Sequence, residues 1–299
     1  DDVADLRDDP AGKDTFQSWP DQAKLYGDGF FNRVTSFRFV HAFSTAGNED
    51  MAVLHDDPNA TDTFKFWPGE AKLYGDGFFT RAKGFRQVHA FSSPDNDDVA
   101  VLYDDPNATD TFKFWPGEAK LYGDGFYNRA KGFSQVHAFS SPGNDDVAVL
   151  YDDPNGDETF KAWPEEAKLY GDGFFNRAKG FRWVHAYATG GNDVAHLYGS
   201  AAKDTLVATS AQTRIFSSEY FNRAVSFDRV YAHGGDDQDV AILYDAVLET
   251  GLTQRPVPAQ IESILWLYEF EDLQRRNDPD DGGDSETEAV DELFTAYWL

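Results

Sequence analysis

Acidic residues recur along this chain in fixed pairs, and carboxylates at regular spacing are groups that can hold a hard cation. The pairs open Asp-Asp-Pro turns at Asp8-Asp9, Asp56-Asp57, Asp104-Asp105 and Asp152-Asp153. Single acids sit inside Gly-Asp-Gly at Asp28, Asp76, Asp124 and Asp172, and further pairs occur at Asp97-Asp98 and Asp145-Asp146. Calcium takes about six to eight oxygens from carboxylates and carbonyls. Asp56, Asp57, Asp104, Asp105, Asp152, Asp153, Asp76, Asp124 and Asp172 are therefore the candidate metal ligands, with calcium as the candidate cofactor. The competing reading is that Asp, Asn, Pro and Gly are simply turn formers, solvated where they stand.

Aromatic residues recur just as regularly. Trp19, Trp67, Trp115 and Trp163 stand with Tyr26, Tyr74, Tyr122 and Tyr170 at outward or corner positions. Flat rings in a row could stack along a polysaccharide, which makes Trp67, Trp115, Trp163, Tyr74, Tyr122 and Tyr170 the candidate ligand-binding residues. The alternative is that the rings shield a corner and stack on one another, or form a contact with another copy of the protein.

His41, His89, His137 and His185 make a third row, which becomes Tyr231 in the fifth copy. Imidazoles one coil apart cannot share one ion whose bonds are about 2 Å, so the row reads as packing. Arg33, Arg81, Arg129, Arg177 and Arg223 are retained throughout and are expected to pair with the turn carboxylates. Catalysis needs a singular arrangement of nucleophile, base or acid in a cleft. Here nearly every polar residue recurs, so no catalytic residue is assigned and the chain is read as a non-enzyme.

The elements that position these groups follow from the repeat itself. Gly-Asp-Gly-Phe begins at Gly27, Gly75, Gly123 and Gly171, and 75 − 27, 123 − 75 and 171 − 123 all give 48. A worn fifth copy follows, with Phe221-Asn222-Arg223-Ala224 lying 46 after Phe175-Asn176-Arg177-Ala178 (221 − 175 = 46). Comparing the copies shows which positions face inward. Ala100 and Leu102 have counterparts in every copy, whereas the residue between them is Asp5, Val53, Val101, Val149, His196 or Ile242. A site that accepts an Asp looks at water, so Ala and Leu face the core. Phe112, Leu121, Val136 and Ala138 hold inward places by the same reasoning.

Five short strands in each 48-residue unit, without a helical period, predict an all-β fold. A right-handed parallel β-helix with two coils of about 24 residues per repeat and a C-terminal cap fits best. A five- or six-bladed β-propeller is the alternative. On the solenoid reading the repeats occupy about 1–49, 50–97, 98–145, 146–192 and 193–238, with a degenerate sixth from 239. Residues 1–245 are then the solenoid, and 246–299 the degenerate last repeat and cap. Tyr268 to Leu273 echoes the Gly180 to Val184 segment. Asn277 to Glu288 reads as a solvated acidic loop, and Ala289 to Leu299 as the segment that covers the last coil. Because Asp1 already lies inside the repeat register and no leader precedes it, the chain is expected to be part of a longer one.

Composition narrows the function classes. Asp and Glu number 53 against 26 Lys and Arg in 299 residues, for a net charge of −27. Such a field argues against a nucleic-acid partner or an anionic membrane surface. The chain has no Cys, hence no disulfide framework or thiolate metal site. No apolar run reaches the roughly 18 residues of a membrane span.

The strings DVAVLYDDP, DTFKFWP, LYGDGFYNRAKGF and VHAFSSPGND resemble repeat segments of very large secreted or surface proteins of planctomycete-type bacteria. Those segments are associated with RTX modules and described as calcium-binding. The likeness covers about Asp2 to Tyr244. It implies an extracellular or cell-surface, adhesive or structural part whose partners are copies of itself, other surface proteins or polysaccharide. The strict RTX nonapeptide is not met, because Gly190-Gly191-Asn192-Asp193-Val194 lacks its third Gly.

Overall fold

A computed structural model describes residues 2–45, 49–94, 96–235, 238–244, 259–261 and 265–276. Among them every regular element is a β-strand. The first repeat contributes β1 (Val3–Arg7), β2 (Thr15–Trp19), β3 (Gln22–Gly27), β4 (Phe30–Thr35) and β5 (Phe39–Phe43). The second contributes β6 (Met51–His55), β7 (Thr63–Trp67), β8 (Glu70–Gly75), β9 (Phe78–Lys83) and β10 (Gln87–Phe91), and β11 (Val99–Tyr103) opens the third. The strands belong to two sheets, of 14 and 15 strands, that face each other across one core.

The chain winds between these sheets as a β-solenoid. A single strand such as β6 crosses in one sheet, and β7, β8 and β9 form an antiparallel meander in the other. The single strand β10 then returns beside β6, in parallel. One turn closes after 36 residues: Val3 faces Phe39 (39 − 3 = 36) and Thr15 faces Met51 (51 − 15 = 36). The 48-residue unit therefore holds three crossings, one and a half turns, and not two coils of about 24. The difference arises because the second and third strands of each meander fold back within their sheet. Trp67-Pro68-Gly69-Glu70 makes the first reversal, with the ring of Pro68 pre-setting φ and Gly69 at φ 81°. An odd number of crossings also places equivalent segments of successive repeats in opposite sheets, so β1 and β6 lie across the core from each other.

Period-2 alternation supplies the core. In β6, Ala52 and Leu54 are fully buried, and in the meander Phe64, Phe66, Ala71 and Leu73 are at most 1 % exposed. Across the core Phe64 meets Phe133 with ring centroids 5.9 Å apart, and Phe112 meets Phe181 at the same distance. The intervening residues, Lys65 and Lys72 among them, point outward as expected. Phe133 and Phe181 follow a left-handed residue, Gly132 or Gly180. Glu269 takes the same conformation, φ 60°, just ahead of Phe270. Thus the segment that echoes Gly180 to Val184 also repeats its backbone turn. The expectations for the loop at Asn277 to Glu288 and the cap at Ala289 to Leu299 fall outside the described residues.

Candidate functional site

Where the chain leaves one sheet for the other, three acidic residues converge. Asp56 follows β6, Asp62 precedes β7 and Asp98 precedes β11, which pairs with β7 one turn later. Each offers a carboxylate oxygen within 4.8 Å of the others, and all three are buried. The same triad recurs as Asp8, Asp14 and Asp50, as Asp104, Asp110 and Asp146, and as Asp152, Glu158 and Asp193. Groups of this kind could hold a metal ion, with hard oxygens suited to a hard cation.

The triads are built by the turns they close. The backbone N–H of Ser93 donates to Asp56 Oδ2 over 2.6 Å, and the Ser93 hydroxyl donates to Oδ1 over 3.0 Å. The N–H of Asp57 donates to Asp62 Oδ2 over 2.5 Å. The N–H of Asp62 in turn donates to Asp98 Oδ1 over 2.6 Å, and Ser92 Oγ donates to Asp98 Oδ2 over 2.8 Å. Bonds 35 to 37 residues long in sequence tie each turn to the one stacked on it. One buried oxygen in each triad lacks a hydrogen-bond donor: Asp14 Oδ1, Asp62 Oδ1, Asp110 Oδ1 and Glu158 Oε2.

This geometry gives the first Gly of Gly-Asp-Gly its reason. A Cβ on Gly75 would lie 1.7 Å from Asp62 Oδ1, and one on Gly27 or Gly123 would lie 1.7 Å from Asp14 Oδ1 or Asp110 Oδ1. Conformational freedom belongs to the second glycine, as at Gly77 with φ 84°.

Three negative groups out of water repel each other and are poorly solvated, which favours their protonated forms. Burial, followed by the charges of Asp98, Asp56 and Asp57, pushes Asp62 up to about 6 against the pull of the Asp57 N–H. Burial raises Asp110 to about 6, Asp146 to about 7 and Glu158 to about 7 in the same way, and it raises Asp14, Asp98 and Asp193 as well. The fifth copy is instructive. Gly199 stands where Asp152 does, while Tyr220 replaces the Phe174 that follows Gly-Asp-Gly. The buried Tyr220 phenol is pushed up by burial and then by the charge of Asp204. Where one carboxylate is lost, a buried neutral O–H lies close enough to Asp204 to feel its charge.

The candidate ligands divide accordingly. Asp56, Asp104 and Asp152 are triad members. Asp57, Asp105 and Asp153 are half-buried turn residues whose side chains accept from the N–H of Asn59, Asn107 and Asn155. Asp76, Asp124 and Asp172 are exposed at the meander tips. Sequence reasoning did not single out the acids immediately before the strands, Asp62, Asp110 and Glu158, nor Asp50 and Asp193. Their signal is constancy: this place is acidic at Asp14, Asp62, Asp110, Glu158 and Asp204, whereas the Gly-Asp-Gly acid disappears in the fifth copy. The triads do not line up in one row, because they alternate between the two edges of the solenoid with the alternation of the sheets.

The aromatic rows are internal stacks. Trp67 lies flat on Tyr103, centroids 5.1 Å apart and 2° from parallel, and Tyr103 lies on Phe139. The Lys72 ammonium sits 5.0 Å from the Trp67 ring centre. Trp115 is held by Tyr151 and Lys120, and Trp163 by Tyr198 and Lys168. Tyr74, Tyr122 and Tyr170 stack on Phe79, Tyr127 and Phe175. Each of these Trp rings thus has an aromatic neighbour and a cation against it within the chain. The histidines are packed likewise: His89 against Tyr127, and His137 against Phe175. His185 is wholly buried, and desolvation followed by the charge of Arg223 drives it down to about 3. The arginines correct an expectation. Arg81 and Arg129 bond Glu70 and Glu118 on the neighbouring meander strand at 2.5 and 2.7 Å, and Arg177 bonds Glu166. Strand register, rather than the turns, supplies their carboxylates.

No family model matches the chain, and neither a curated protein nor a solved structure is significantly similar to it.

Proposed function

We propose that this chain is a non-enzymatic, extracellular structural repeat, a stiff spacer or adhesive rod whose turns are locked by calcium in the carboxylate triads. The observation that carries this reading is the recurrence, at four successive places along the solenoid, of an acid triad with one buried oxygen lacking a donor, wholly buried in three of the four. Removing a buried charge from its compensating partner is strongly destabilising, and three close carboxylates need either protons or a cation. A divalent ion supplies that charge and draws two stacked turns together, which stiffens the rod. Extracellular calcium modules work with dissociation constants of about 10⁻⁴ to 10⁻³ M, within reach of sites with few charged ligands. The resemblance to surface-protein repeats supports the same compartment.

The test is the calcium content of the dialysed protein together with thermal melts in excess calcium and excess chelator. A ligand bound only by the folded state adds about 2.7 kcal/mol at a hundredfold excess over its dissociation constant. Bound calcium together with a higher melting temperature is expected. Melts that superimpose on protein free of bound ion would overturn the reading.

A further inference from the structure

The outward faces of the sheets carry the opposite sign from the molecule as a whole. In the second repeat Lys65, Lys72 and Arg81 stand side by side across β7, β8 and β9, with Lys83 beside them and Glu70 as the one acid. Continuing along that sheet the central row reads Val101, His137, then Arg177, Lys168 and Lys161. Acids gather instead at the turns. Asp57 and Asp76 lie on the edge where the chain enters β7, and the exposed Asp97 lies where it enters β11. A chain of charge −27 thus has basic faces bounded by acidic edges.

The two patterns share one repeat. From β9 the next meander strand of the same kind, Phe174–Lys179, lies five places along the sheet. At about 4.8 Å per strand this is about 24 Å. The tip acids Asp76 and Asp172 are separated by the same five places. We infer that the basic face of the solenoid is a docking surface for the acidic edge of a second copy lying alongside it. Copies of this chain match its charge bands along their whole length because edge and face are cut from the same coil. A generic polyanion has no such repeat. This deepens the structural reading above and rests on it.

Net charges of one sign repel at long range, while the complementary bands act at contact. With a Debye length of about 10 Å at 0.1 M salt, long-range repulsion is screened before contact pairs are. Association is therefore expected to peak at intermediate ionic strength.

The test is sedimentation velocity of the intact chain, at fixed calcium, from about 0.01 to 1 M salt. The weight-average mass should at least double near 0.1 M and fall back to monomer at both extremes. A face variant, Lys65→Glu with Lys113→Glu and Lys161→Glu, and an edge variant, Asp76→Lys with Asp124→Lys and Asp172→Lys, should each stay monomeric while melting as the parent does. A mixture of the two should regain association, since reversed faces then meet reversed edges; recovery on mixing also excludes misfolding as the cause. A wild-type chain that is monomeric at every salt concentration would overturn the inference, and so would association unchanged in both variants. So would a monomer whose face variant alone loses retention on an alginate column, which would mark the face as a polysaccharide site. Calcium melts read the monomer, so failure of the rod reading and failure of this contact are told apart.

Discussion

At the scale of single residues, a carboxylate oxygen without a donor sits where a Cβ on the neighbouring glycine would have to go. Gly75→Ala is expected to cost about 1–3 kcal/mol as an overpacked site. Adding Asp62→Ala should recover most of that loss, because the clash is with Asp62 Oδ1. Equal destabilisation with and without Asp62, in denaturant unfolding, would place the cause elsewhere. Asp62→Asn separates charge from shape. In chelator near neutral pH it should raise the melting temperature, since it removes one of three repelling groups, while in calcium it should lower the bound-ion count. The candidate site was half legible. Asp56, Asp104 and Asp152 could be read from the pairs, but which acid of each pair turns inward depends on the turn. The partners Asp62 and Asp98 are 36 residues apart (98 − 62 = 36), a separation set by the length of a turn that the 48-residue repeat conceals.

At the scale of elements, the aromatic stacks brace the ends of neighbouring strands. Trp115→Ala removes a ring stacked on Tyr151 and covered by Lys120, and a loss of about 2–3 kcal/mol is expected from burial and ring contact together. Retention on immobilised neutral or acidic polysaccharide should not change; if it falls while the fold holds, the rings have an external ligand. Inward and outward alternation, strand number and the solenoid itself followed from comparing the copies, because period 2 is a property of single strands. Sheet membership did not. Whether a Pro-Gly turn such as Pro68-Gly69 folds a strand back within its sheet or lets it cross depends on which neighbour it hydrogen-bonds, and no local pattern encodes that. The arginine row was misassigned for the same reason, since Glu70 becomes a neighbour of Arg81 only when β8 folds against β9.

At the scale of the whole molecule, the triads make stability depend on pH with a sign that calcium should reverse. In the folded chain Asp62 and Asp110 lie near 6, and Asp146 and Glu158 near 7, all above their ordinary values. The folded state therefore holds more protons than the unfolded one. Without a cation, the stability these groups contribute is full below about pH 4 and is lost as pH rises through about 6 to 7. Calcium requires deprotonated ligands, so it binds more tightly as pH rises over the same window. Thermal melts at steps from pH 5 to pH 8, in chelator and in excess calcium, put the calcium lock to the test. The melting temperature should fall with pH in chelator and hold or rise with pH in calcium, so that the two curves diverge toward pH 8. Parallel curves with no separation at any pH would mean that the triads hold protons only, and that calcium does not lock the turns.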